Sequence, residues 1–79
     1  MSTATTYNGW TNWATWNVAL WVDNDEAIYR ARRRAGLTDT ASLRAFLEAI
    51  WPEGRTPDGA DFEDANLVEI LEAWEKEDE

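Results

Sequence analysis

The sequence predicts an all-α protein: a compact bundle of three to four short helices with a Trp-rich core and a Pro/Gly loop before the last helix. Three observations predict it. In most of the segments with a regular pattern, apolar residues recur at three- and four-residue steps. Between those segments stand helix-stopping residues, Gly36 and Pro52 the clearest of them. Four of the six tryptophans lie between Trp10 and Trp21, and a chain of 79 residues needs such large side chains, because a domain this small buries only about 60% of its unfolded surface. Residues 1–79 read as one domain, with a Thr-rich flexible arm over 1–8 and a frayed acidic tail over 75–79.

Thr11 or Asn12 caps the first helix, which places Trp13, Trp16, Leu20 and Trp21 on one side. At about 100° per residue Asn17 falls inside that apolar arc, where a polar side chain must be hydrogen-bonded, so a structural bond is expected of it. The β-formers between residues 15 and 22 would also suit a strand, but the rest of the chain offers no partner strand. The expected core is Trp13, Trp16, Leu20 and Trp74, with Trp10 or Trp51 at its edge.

Asp23, Asn24, Asp25 and Glu26 break the chain and open a second helix, which runs to about Ala35 with Ala27, Ile28, Ala31 and Ala35 inward. Arg30, Arg32, Arg33 and Arg34 crowd its last turns, where the helix dipole favours cations, and Gly36 suits the left-handed position beyond its end. Thr38, Asp39 and Thr40 cap a third helix with Leu43, Phe46, Leu47 and Ile50 inward, closed by Trp51 and stopped by Pro52. Both prolines lie in residues 52–59, with a tight turn at Pro57, Asp58 and Gly59 and Phe62 anchoring the far end. The last helix starts near Asp64 or Asn66, buries Leu67, Ile70, Leu71 and Trp74, and turns Glu69, Glu72 and Lys76 to water.

The chain has no cysteine and no histidine, which removes disulfides and thiolate or imidazole metal sites. No apolar run approaches the roughly 20 residues of a membrane span, and the first residues lack a signal-peptide pattern, so a cytoplasmic protein that does not enter the membrane is expected. Net charge is −9, and residues 1–55 hold six acids against six arginines, so the entire imbalance falls in residues 56–79. That charge argues against direct nucleic-acid binding despite the arginine run, and it can mark an electrostatic partner surface.

Asp23 and Asp25 open like an EF-hand loop, yet Ile28 stands where its glycine should be and Arg34 where its glutamate should be. Nothing pairs a nucleophile with a base, and no cofactor motif is present, so the expectation is a non-enzymatic protein without a cofactor. A carbohydrate platform would need coplanar exposed rings, which helical spacing does not favour. One or two of the tryptophans suit a protein-docking face. The carboxylates on or just before the last helix, Asp61, Glu63, Asp64, Glu69 and Glu72, are the candidate partner-binding residues.

The run Tyr7-Asn8-Gly9-Trp10-Thr11-Asn12-Trp13-Ala14-Thr15-Trp16-Asn17-Val18-Ala19-Leu20-Trp21, then Asn24-Asp25-Glu26 and Tyr29, resembles a family of short phage-encoded proteins. Its members carry an Asn-aromatic-x-Thr-Trp-x-Val-x-Leu-Trp signature and often a later Thr-Pro-Asp-Gly turn, here Thr56-Pro57-Asp58-Gly59. Ala14 stands where that signature usually has glutamate, so no role of that carboxylate carries over. Small acidic phage proteins without a catalytic site are often inhibitors of host defence, and the resemblance implies an anti-CRISPR or antirestriction type. The implied partner is a nucleic-acid-binding host defence complex in the host cytoplasm, met through carboxylates that imitate a nucleic-acid backbone. The alternative is an accessory or regulatory phage protein that binds a host or phage protein through its Trp-rich face.

Overall fold

The computed structural model describes residues 9–77; the arm expected over residues 1–8 and the last two residues of the tail lie outside that range. Four helices follow in order, α1 (Trp13–Asn24), α2 (Glu26–Ala35), α3 (Thr40–Ile50) and α4 (Leu67–Glu77). No strand occurs among the described residues; one isolated antiparallel bridge joins Arg55 and Asp61 in the long loop before α4. The protein is an all-helical globule in which α1 packs on α2 and α4, and α3 on α4.

Local chemistry sets each helix end. Asn12 caps α1 by accepting from Thr15 N at 2.9 Å. Asp25 ends α1 by donating its N–H to Trp21 O, and starts α2 by accepting at Oδ1 from Ile28 N at 3.1 Å. Gly36 closes α2 at φ 62°, a left-handed conformation that glycine adopts without a Cβ penalty. Asp39 caps α3 through a reciprocal box with Ser42. Asn66 caps α4 by accepting from Glu69 N at 3.1 Å.

The Asp39 cap has a pH signature. The bond from the Ser42 backbone, and then the one from its hydroxyl, hold the Asp39 carboxyl below its ordinary value. A lowered folded value means that the stabilisation is present above the unfolded value and lost as the pH falls through the folded one. Asp39→Ala is therefore expected to lower the melting temperature at pH 7, with the deficit fading below about pH 4. Calorimetry of both proteins at pH 7 and pH 3 reads this, and a deficit that persists unchanged at pH 3 contradicts it.

The buried core is Ala14, Val18, Ala19 and Val22 of α1, Leu43 and Leu47 of α3, Ala60 and Phe62 of the loop, and Ile70 and Trp74 of α4. Trp74 is buried as expected, and Trp10 and Trp51 pack at the core's edge. The expectation for α1 is overturned: Trp13 is 39% exposed, and Trp16 and Leu20 are only half-buried. The reason is size. Alanine and valine let α1 approach its neighbours closely, whereas three bulky side chains would hold it away. The aromatic contacts come instead from Trp51, which meets Trp21 edge-on at 6.0 Å and Phe62 at 6.3 Å.

α2 is also turned from its expected face. Ala27, Ala31 and Ala35 are exposed, Ile28 and Tyr29 are half-buried, and Arg32 is buried. The Arg32 guanidinium stacks 4.4 Å from the Trp74 ring centroid and 5.0 Å from that of Tyr29. A planar cation between two rings gains both electrostatic attraction and packing. Arg32 is thus part of the core rather than a helix-end charge alone.

Candidate functional site

Two hydrogen-bonded junctions fix α1, and both use residues of the tryptophan-rich motif. At its start, Asn12 Oδ1 also accepts from Thr15 Oγ1 at 2.7 Å, and Asn12 Nδ2 donates to Asp64 O at 2.9 Å. Asn66 N then donates to Thr15 Oγ1 at 2.8 Å, which ties the two helix N-termini together. In its middle, the buried Asn17 accepts at Oδ1 from Thr56 Oγ1 at 2.6 Å and donates from Nδ2 to Asp58 Oδ2 at 3.0 Å. The same Asp58 oxygen accepts from Trp21 Nε1 at 3.1 Å.

The structural bond expected of Asn17 is therefore present, and Asp58 is the residue that holds the indole. The turn presenting Asp58 is closed by Gly59 N donating to Thr56 O at 2.9 Å, with Gly59 at φ 93°. Sequence reasoning located this turn but missed Asp58 as a partner of α1. The signal was there in weak form: an aspartate beside Thr56 in a turn, and a polar Asn17 on an apolar arc needing a partner.

These junctions occupy the inner side of α1 and leave Trp13, Trp16 and Leu20 on the outer side, at positions i, i+3 and i+7. Asp23 and Asn24 continue that stripe towards the helix C-terminus, and a shallow hollow of about 200 Å³ lies among Trp10, Trp16, Leu20 and Asp23. A neighbouring hollow of about 210 Å³ is lined by Leu20, Trp21, Asn24 and Asp58. The surface is aromatic, ridged and edged by carboxylates. Its chemistry suits contact with another protein: rigid indoles in the centre, polar groups around them.

The five candidate carboxylates do not form one free cluster. Glu63 is salt-bridged to Arg44 at 3.2 Å, and Arg44 also holds Glu48 at 2.8 Å. Bonding to Glu63 first, then Glu48, stabilises the Arg44 cation further. Asp61 accepts at Oδ1 from Glu63 N at 2.9 Å. Glu69 is half-buried rather than turned to water, and it accepts at Oε1 from Thr11 N at 3.0 Å. Asp64 and Glu72 are exposed. Among the described residues no group of three or more carboxylates is placed to hold a metal ion, and no helix is long and apolar enough to cross a membrane.

The model of a protein family described as a family of unknown function, DUF7249, matches residues 3–77. Comparison with curated proteins and with solved structures finds no match.

Proposed function

We propose that this chain, which belongs to the DUF7249 family, is a non-enzymatic phage protein that inhibits a host defence complex by protein–protein binding. It acts in the host cytoplasm without a cofactor, and the outer face of α1 is the centre of the contact. The observation that carries this reading is Trp13, a large apolar side chain 39% exposed on a helix whose inner side is fully engaged. A chain with so little core does not gain from leaving part of an indole in water, whereas an indole edge that becomes covered on binding contributes to affinity. The phage setting rests on the resemblance of the tryptophan motif and the Thr-Pro-Asp-Gly turn.

Mimicry of a nucleic-acid backbone by the carboxylates takes second place. Glu63 is partly neutralised by Arg44, and the half-buried Glu69 is tied to the Thr11 amide, so neither is free to turn towards a partner. The net charge of −9 still speeds approach to a basic complex.

The test is affinity capture from host lysate, followed by titration of the captured complex with wild type, Trp13→Ser, and a variant with Glu63, Asp64 and Glu72 neutralised together. Glu69 is left unchanged because it anchors Thr11. Trp13→Ser is expected to weaken binding by about tenfold or more and to relieve inhibition of the complex, while its melting curve stays cooperative and shows the protein folded at the assay temperature. The neutralised variant should lose mainly association rate, and mainly at low salt. Undiminished inhibition by folded Trp13→Ser would sink the reading. Capture of a partner outside any defence complex through the same face would instead support the accessory role.

A further inference from the structure

A groove of about 510 Å³ runs between residues 37–40 and one flank of α4. Its floor is apolar: Leu37 and Leu71 are half-buried, and Val68 is 53% exposed, the most open large aliphatic side chain among the described residues. Asp39, Glu72 and Glu75 stand at its edges, and none of the residues lining it is cationic. Asp39 is held in its charged form by the Ser42 cap. Val68, Leu71 and Glu75 recur at i, i+3 and i+7, so the strip extends about 10 Å along the helix. Glu69, bonded to Thr11, points away from this strip towards α1.

We infer that this groove takes a basic amphipathic segment of a partner protein, with an aliphatic side chain over Leu37, Val68 and Leu71 and lysines or arginines against Asp39, Glu72 and Glu75. The class of occupant follows by elimination. A nucleic acid or an anionic lipid surface meets only like charge here, and a second copy carries a net charge of −9 that opposes its approach. A small cation would leave Val68 and Leu37 in water. A peptide of about two helical turns matches the length of the strip, its apolar floor and its acidic edges together. The inference does not depend on the outer face of α1, because the two surfaces share no residue.

The probe is a synthetic peptide of about twelve residues, with leucines at i, i+3, i+4 and i+7 and lysines elsewhere, titrated into the 15N-labelled full chain. Amide shifts are expected to concentrate on residues 37–40 and 68–75. Val68→Asp separates a groove from general charge attraction, because it adds a negative charge while removing the apolar floor. Seating in the groove predicts about tenfold weaker binding to Val68→Asp; attraction by net charge alone predicts equal or tighter binding. Val68 is exposed, so an unchanged melting curve is expected and serves as the folding control. Equal or tighter binding, or shifts centred on residues 13–24 or spread along the loop before α4, overturns the inference. Shifts centred on residues 13–24 would do so while leaving the proposed function standing.

Discussion

Phe62→Ala is expected to remove about 3–5 kcal/mol of stability, while Trp16→Ala removes only about 1–2 kcal/mol. Composition alone suggests the reverse order, since tryptophan is the larger side chain. Placement decides. Phe62 is 1% exposed; its ring lies 6.3 Å from that of Trp51, and the Arg44 guanidinium sits 5.9 Å from its centroid. Its backbone N–H also donates to Gly54 O at 3.0 Å, so the buried ring sits where the two ends of the loop meet. Truncation opens a cavity against Trp51 and frees the loop that carries Thr56 and Asp58. Folded domains are stable by roughly 5–15 kcal/mol in total, and one this small sits at the lower end. Urea denaturation followed by circular dichroism reads both variants. If Trp16→Ala proved as damaging as Phe62→Ala, the orientation of α1 described above would be wrong.

That contrast also separates what the sequence reveals from what it conceals. Helix ends were legible because their chemistry is local: Asn12, Asp39, Gly36 and Asn66 act on groups within about a turn of themselves. α3 and α4 were legible because each has one apolar stripe and one polar face. α1 was not, because its apolar residues are not confined to one stripe; periodicity singles out the tryptophans and cannot say that the side with alanine and valine allows closer packing. Arg32 escaped for a related reason. A cation near a helix C-terminus already has an adequate local explanation, and nothing local says that Tyr29 and Trp74 converge on it. The carboxylates could be placed outside the core from spacing, but which of them Arg44 or the Thr11 amide would engage depends on contacts 19 and 58 residues apart in sequence.

Asn17→Ala is expected to destabilise the protein by about 2–4 kcal/mol, more than a single hydrogen bond contributes. Asn17 is 2% exposed, and its amide joins the Thr56 hydroxyl at 2.6 Å and the Asp58 carboxylate at 3.0 Å. Removing it takes a partner from each of two groups and leaves a small cavity beside Thr56. Asp58 keeps its bond from Trp21 Nε1 but loses the donor that orients it. Asn17→Asp makes the sharper test. It preserves shape but sets a second carboxylate against Asp58 and removes both amide donors, so it should be at least as harmful at pH 7. Part of that loss should be recovered as the pH falls and the new carboxyl takes up a proton, whereas Asn17→Ala shows no such recovery relative to wild type. A double-mutant cycle of Asn17→Ala with Thr56→Val should give a coupling of about 0.5–3 kcal/mol. Thermal melts at pH 7 and pH 4.5 distinguish these outcomes. Full stability in Asn17→Ala, or additivity with Thr56→Val, would show that α1 and the Thr-Pro-Asp-Gly turn are not joined through this side chain. The outer tryptophan face would then lack the rigid support that presents it to a partner.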